Sequence, residues 1–191
     1  MAISKVTSAS ITTDAVGPTQ LNEASNYDFT GTVTGASPIT EADMFRTNAS
    51  TAVSADTDTL ITAWARNTPG TKIGTGMSVS SGTWTFPTTG IYKIDLELSV
   101  ASDNATRYIF ASLQKTSDNS SYTEFVKGYG NIYRPSSTWW GFVRFSTIFD
   151  CTNTTNDKVR MYIKSNFALD AYGGTESYST GRAIFTRIGD T

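Results

Sequence analysis

The sequence predicts an all-β fold, a sandwich of Greek-key or jelly-roll type preceded by an extended N-terminal arm. Three observations carry this. Val, Ile and Thr together supply 54 of the 191 residues against six Leu, a bias toward pleated surfaces and away from helices. From about Met44 onward, large apolar residues recur at alternate positions in short runs, with no helical period between them. Before that point Ser and Thr dominate, and they number 54 over the whole chain. The length suits one domain with an appendage, which divides the chain into an arm over 1–43 and a head over 44–191.

In the arm, Gly17-Pro18, Gly31 and Gly35 interrupt scattered apolar residues: Ile3, Val6, Ile11, Val16, Leu21, Tyr27, Phe29 and Val33. Such a segment cannot bury enough surface alone to offset the entropy of ordering it. It is therefore either a flexible tail or an arm held by sister chains or a larger assembly. In the second case Ile3, Val6, Ile11, Val16 and Leu21 are the anchoring residues.

In the head, Leu60-Ile61-Thr62-Ala63-Trp64 reads as a first strand, ended by the turn residues Asn67-Thr68-Pro69-Gly70. Trp84 and Phe86, then Tyr92, Ile94, Leu96, Leu98 and Val100, share one face, with Lys93, Asp95 and Glu97 on the other. Pro87-Thr88-Thr89-Gly90 joins the two runs as a corner. Ile109, Ala111 and Leu113 follow, then a polar loop from Thr116 to Ser121. Val143, Phe145, Thr147 and Phe149 alternate with Phe142, Arg144, Ser146 and Ile148. That strand is apolar on both sides, so it is buried twice, or buried once and used once at an interface. Val159, Met161 and Ile163 alternate with Lys158, Arg160, Tyr162 and Lys164, a half-exposed strand with a basic outer face. Arg182 to Ile188 closes the chain. About eight short strands in sequence argue for the sandwich.

Composition excludes several chemistries. The chain has no histidine, which removes imidazole bases, His-based metal sites and His triads. Its one cysteine, Cys151, cannot form an internal disulfide. The net charge of −2 offers neither a nucleic-acid footprint nor a polybasic membrane surface. Met1 to Val6 leads into hydroxyl residues instead of an apolar run, so no export signal is read, and no apolar run approaches the roughly 20 residues that span a bilayer.

Two stretches carry a resemblance. Gly82-Thr83-Trp84-Thr85-Phe86-Pro87-Thr88-Thr89-Gly90-Ile91-Tyr92-Lys93-Ile94 resembles the globular head of the complement and tumour-necrosis-factor jelly-roll superfamily. Asn156-Asp157-Lys158-Val159 is similar to that superfamily's Gly-Asp-x-Val strand, with Asn where Gly is usual, and Ser179-Thr180-Gly181-Arg182-Ala183-Ile184-Phe185 partly matches its closing strand. The likeness spans about residues 55 to 190 and implies a homotrimer that buries aromatic residues along a shared axis. In the arm, Ile11-Thr12-Thr13-Asp14-Ala15-Val16, Thr19-Gln20-Leu21-Asn22 and Phe29-Thr30-Gly31-Thr32-Val33-Thr34-Gly35 resemble the threonine-rich segments of bacteriophage fibres and other virion appendages. Together these imply a phage surface protein, a capsid decoration, head-fibre or tail-fibre protein assembled in the host cytoplasm without a signal peptide.

The candidate site is the cluster Tyr129, Tyr133, Arg134, Trp139, Trp140 and Phe142. Adjacent tryptophans on a strand point to opposite faces, so Trp139 and Trp140 cannot both fill one core. One reading is an aromatic platform for a sugar ring or a partner surface. The other has one tryptophan in the sandwich and one in a trimer interface. The carboxylate pairs Asp56/Asp58 and Asp95/Glu97 come with no ligand loop and read as solvated surface. Gly74-Thr75-Gly76 and Gly173-Gly174 lack the following helix that a phosphate cradle needs. Cys151 reads as a plain buried residue.

The expected function is structural and adhesive, with no catalysis and no cofactor. The partners expected are two further copies of the chain, capsid or tail proteins reached through the arm, and a host-surface glycan. Nucleic acid and membrane insertion are not expected. The alternative is a soluble carbohydrate-binding jelly roll with no virion role.

Overall fold

The computed structural model describes residues 39–66, 72–133, 139–175 and 180–191, and among them it has fourteen strands. The anchoring candidates Ile3, Val6, Ile11, Val16 and Leu21, and Arg134 of the aromatic cluster, lie outside the described residues. The first half of the head gives short strands: β1 (Ala42–Thr47), β2 (Thr51–Val53), β3 (Thr59–Leu60), β4 (Trp64–Arg66), β5 (Lys72–Ile73), β6 (Ser78–Ser80) and β7 (Thr83–Thr85). The second half, where alternation is sustained, gives β8 (Gly90–Ser102), β9 (Thr106–Thr116), β10 (Thr123–Ile132), β11 (Trp139–Cys151), β12 (Lys158–Ser165), β13 (Leu169–Ala171) and β14 (Gly181–Gly189).

Among the described residues the strands form two antiparallel sheets. The eight-stranded sheet runs β2-β13-β8-β14-β1-β4, with β11 on β8 and β5 on β1. The six-stranded sheet runs β10-β9-β12-β7-β6, with β3 on β12. Strand β8 organises the larger sheet. All thirteen of its residues pair with β11 on one edge. The other edge is shared between β14 and β13, and the changeover falls at Ser99, which bonds Thr180 through its N–H and Tyr172 through its carbonyl (2.8 and 2.9 Å).

The core lies between the sheets. Trp84, Tyr92, Phe86, Phe185, Ile94, Leu96, Leu98, Ile109, Leu113, Met161 and Ile163 are fully buried, and each apolar side chain removed from water contributes about 1.5–3 kcal/mol before entropy is counted. Trp84 is the centre of an aromatic group, 4.8 Å from Trp64 and 5.2 Å from Phe185 between ring centroids. The Pro87 corner carries the chain from one sheet to the other, and the Tyr92 hydroxyl ties it down by donating to the carbonyl of Thr88 (3.0 Å). Gly82 takes φ +79° beneath the carbonyl of Ile61, where a Cβ would sit 2.5 Å from that oxygen.

One sequence expectation needs correction. The single strand expected over Leu60 to Trp64 is two strands in different sheets, β3 on β12 and β4 on β1. Ile61 is the pivot: its N–H bonds Met161 of β12, while its carbonyl accepts the indole N–H of Trp64 at 2.9 Å. A crossover that buries both Ile61 and Trp64 looks, in sequence, like an uninterrupted apolar run.

Two acidic residues form loops that the sequence presented as polar stretches. Asp118 accepts the amides of Ser121 and Ser120 and the hydroxyl of Thr116 (2.7–2.8 Å), and these bonds hold its carboxyl well below the usual carboxylate range. Asp157, in the stretch that resembles the Gly-Asp-x-Val strand, is buried and accepts the amides of Thr152 and Asn153 at 2.8 Å each.

Candidate functional site

The cluster read from sequence divides across the sandwich. Alternation along β11 turns Val143, Phe149 and Cys151 into the core and Trp140, Phe142, Arg144, Ser146 and Ile148 outward. Of the two outcomes expected for this doubly apolar strand, burial on both faces is excluded: one face is buried and the other is exposed. Trp139 points the opposite way from Trp140, as strand geometry requires, yet neither enters the core: they are 41% and 46% exposed. The expectation that one of them packs inside the sandwich is therefore corrected. Both stand at the start of β11, next to Gly141, where a Cβ would sit 2.8 Å from Ile132.

Tyr129 lies on the other sheet. It is on β10, edge-on to Phe110 of β9 at 4.8 Å. Tyr133 follows β10 and is 79% exposed. The cluster is thus not one platform. It is a pair on the eight-stranded sheet, Trp140 and Phe142, and a separate aromatic group on the six-stranded sheet.

The outward face of the eight-stranded sheet can be read row by row from the register. Arg144 stands opposite Glu97, which stands opposite Arg182, which stands opposite Arg46. The next row is Ser146, Asp95, Ile184 and Met44, and the next is Ile148, Lys93, Thr186 and Ala42. Arg182 bonds Glu97 at 3.0 Å and Lys93 bonds Asp95 at 3.0 Å, so the two carboxylates, read from the sequence as solvated surface, each face a cation. Beyond this charged belt the face is apolar at both ends. Trp140 packs on Tyr172 at 4.3 Å and neighbours Phe142 (60% exposed) on one side, and Ile148 (59% exposed) stands on the other. A concavity of about 390 Å³ runs along the belt between Glu97, Arg144, Phe145 and Ile184.

Sequence reasoning missed a second constellation, made by the residues just before and within β1. Glu41 and Asp43 are both buried. The Glu41 carboxylate accepts the amides of Thr75 (3.0 Å) and Gly76 (2.8 Å); Asp43 accepts the amide of Met77 at 2.8 Å and a two-pronged bond from Arg66 at 2.8 and 2.6 Å. Gly74 and Gly76, at φ +72° and +75°, let the loop turn its amides inward. The glycine loop that lacked a helix for phosphate does cradle an anion, but the anion is the chain's own carboxylate. The available signal was the Glu41-x-Asp43 spacing at the entry to β1 combined with the Gly-x-Gly loop. Among the described residues, no group of three or more His, Cys, Asp and Glu is arranged to hold a metal ion.

No family model matches this chain, and no curated protein matches it. Solved structures do. Eiger TNF from S. frugiperda superposes with a TM-score of 0.57 at 13% identity, covering 81% of this chain and 96% of that chain. Murine APRIL, in a structure at pH 8.0, superposes at 0.52 with 13% identity, covering 77% and 98%; a second APRIL structure, at pH 5.0, gives 0.51 and 14%. At this identity the likeness concerns the backbone alone. The chain folds as a tumour-necrosis-factor-like jelly roll.

Proposed function

We propose that this chain is a non-catalytic structural protein that assembles as a homotrimer through the outward face of its eight-stranded sheet, on the surface of a bacteriophage particle. The observation that carries the assembly is that face: exposed Trp140, Phe142 and Ile148 bracket a belt of alternating charge. Large apolar side chains surrounded by polar ones mark association surfaces, and Trp and Arg dominate their energetics. Three is the number that the resemblance to the tumour-necrosis-factor superfamily implies. The phage setting rests on the threonine-rich phrases of the arm, which would anchor to capsid or tail proteins, while the head stabilises the particle or binds the host surface.

Sedimentation of the purified chain at micromolar concentration tests the assembly. The expected species is a trimer of 20.6 kDa chains. Phe142→Glu combined with Ile148→Lys should lower it to monomer without loss of β structure by circular dichroism, because both side chains are exposed. A wild-type monomer under these conditions would defeat the reading. The alternative, a soluble carbohydrate-binding module, draws on the same Trp140 and Phe142 rings with Tyr172 beside them. It requires that a glycan array give binding by the monomeric head and that Trp140→Ala abolish it.

A further inference from the structure

We propose that the outward face of the six-stranded sheet binds an anionic polysaccharide. The inference rests on the reading of the head as an outward binding element, and it places the ligand on the sheet that self-association through the other face leaves free.

The argument begins with β12. Its alternation buries Val159, Met161, Ile163 and Ser165 and turns Lys158, Arg160, Tyr162 and Lys164 outward. Residues two apart on a strand are separated by about 7 Å, so the line from Lys158 to Lys164 is about 20 Å long. Among the described residues, none of Lys158, Arg160 and Lys164 has a carboxylate at ion-pair distance, unlike Lys93 and Arg182 on the opposite sheet. Three like charges on one face of one strand repel each other and gain from any anion that lies along them.

Arg160 is already oriented for such a contact. Its Nε donates to Gln114 Oε1 at 3.0 Å, and its guanidinium lies 3.6 Å from the centroid of the Tyr122 ring. That leaves its terminal N–H groups to donate to a carboxylate, sulfate or phosphate oxygen, and the fixed plane reduces the entropy lost in doing so.

The surroundings suit a sugar. In the register, Lys164 stands opposite Phe110, and Phe110 opposite Tyr129, which is 69% exposed. Tyr108 stacks on Phe110 at 4.5 Å. Tyr162, Ser112 and Lys127 form the next row, although Lys127 is paired with Glu124 at 2.9 Å. On the other side of β12, Thr85 and Thr83 stand opposite Lys158 and Arg160, with Ser78 and Ser80 beyond them. Aromatic faces, a line of cations and a margin of hydroxyls match the apolar ring faces, acid groups and hydroxyls of an acidic polysaccharide. A single-stranded nucleic acid would be drawn by the same cations, but the margin of Thr83, Thr85, Ser78 and Ser80 hydroxyls suits the many hydroxyls of a sugar chain, so nucleic acid enters the test as the competing polyanion.

The test is titration calorimetry of the purified full chain with heparin, polygalacturonate, neutral dextran and single-stranded DNA at several salt concentrations. The expected result is binding of heparin and polygalacturonate that weakens with salt, and none with dextran. Arg160→Gln with Lys164→Gln should reduce affinity at least tenfold, and Lys158→Gln with Lys164→Gln, both half-buried on the outward face, should reduce it in the same direction with the fold intact. No binding of either acidic polymer, unchanged affinity in both variants, or tighter binding of DNA than of the acidic polysaccharides would overturn the proposal. Sedimentation of the same samples separates the two readings. Polysaccharide binding by a monomer leaves this site standing while the assembly fails, and a trimer that binds neither polymer does the reverse.

Discussion

At the scale of single residues, the buried polar groups decide the most. Asp43 satisfies Arg66 and the amide of Met77 together, so Asp43→Asn removes the charge facing the guanidinium and sets an NH2 donor where one of the two accepting oxygens stood. Breaking a buried pair from one side costs about 3 kcal/mol, the lower end of the usual range because Arg66 reaches solvent. A urea denaturation midpoint should fall accordingly, with no change in slope. Cys151 acts in the opposite way, through inertness. Burial, reinforced by the Asp157 carboxylate, pushes its thiol up from 9.0 to about 11. The fold therefore prefers the neutral thiol, and the stability this gives is complete below pH 9 and lost as pH rises from 9 toward 11. Native protein at pH 8 should not react with a disulfide reagent, unfolded protein should react once per chain, and Cys151→Ala should remove this part of the alkaline decline.

At the scale of elements, the sequence was most legible where strands are long and one face is wet. The alternation of β8, β11, β12 and β14 and the corner at Pro87 are read correctly because the pleat itself imposes period two. The strands β1, β2, β5, β6 and β13 escape that reading. They are two to six residues long, and their place comes from tertiary pairing, as when β1 is held between β14 and β4. Strand β10 was hidden differently: irregular register near Val126 and Ile132 breaks its alternation. Its glycines explain why it can lie against β11 at the edge of the sandwich. A Cβ on Gly128 would sit 2.7 Å from Phe145 and 2.9 Å from the carbonyl of Arg144. Gly128→Val should thus force the two strands apart at a cost of about 1–3 kcal/mol, seen as a lower melting temperature with faster amide exchange in β10 than in β12.

At the scale of the molecule, the candidate site was half legible. Composition singled out the aromatic residues between Tyr129 and Phe142, and strand parity separated Trp139 from Trp140. Sequence order, however, placed Tyr129 beside them, whereas sandwich topology sends β10 and β11 to different sheets. The two outward faces that result differ in kind. One pairs Arg182 with Glu97 and Lys93 with Asp95 and exposes isolated apolar side chains; on the other, among the described residues, no carboxylate lies at ion-pair distance from Lys158, Arg160 or Lys164. The proposed assembly and the proposed polysaccharide contact thus draw on different surfaces. The four tryptophans follow the same division, two packed at 4.8 Å inside the sandwich and two exposed at the start of β11. The chain thereby carries its own optical reporters. Emission from Trp64 and Trp84 should stay blue and resist acrylamide until the fold is lost. Trp139 and Trp140 should emit to the red and be quenched freely in a dilute monomer. On assembly, quenching should decline for Trp140 and persist for Trp139, so Trp139→Phe and Trp140→Phe examined side by side would reveal which surface had been covered.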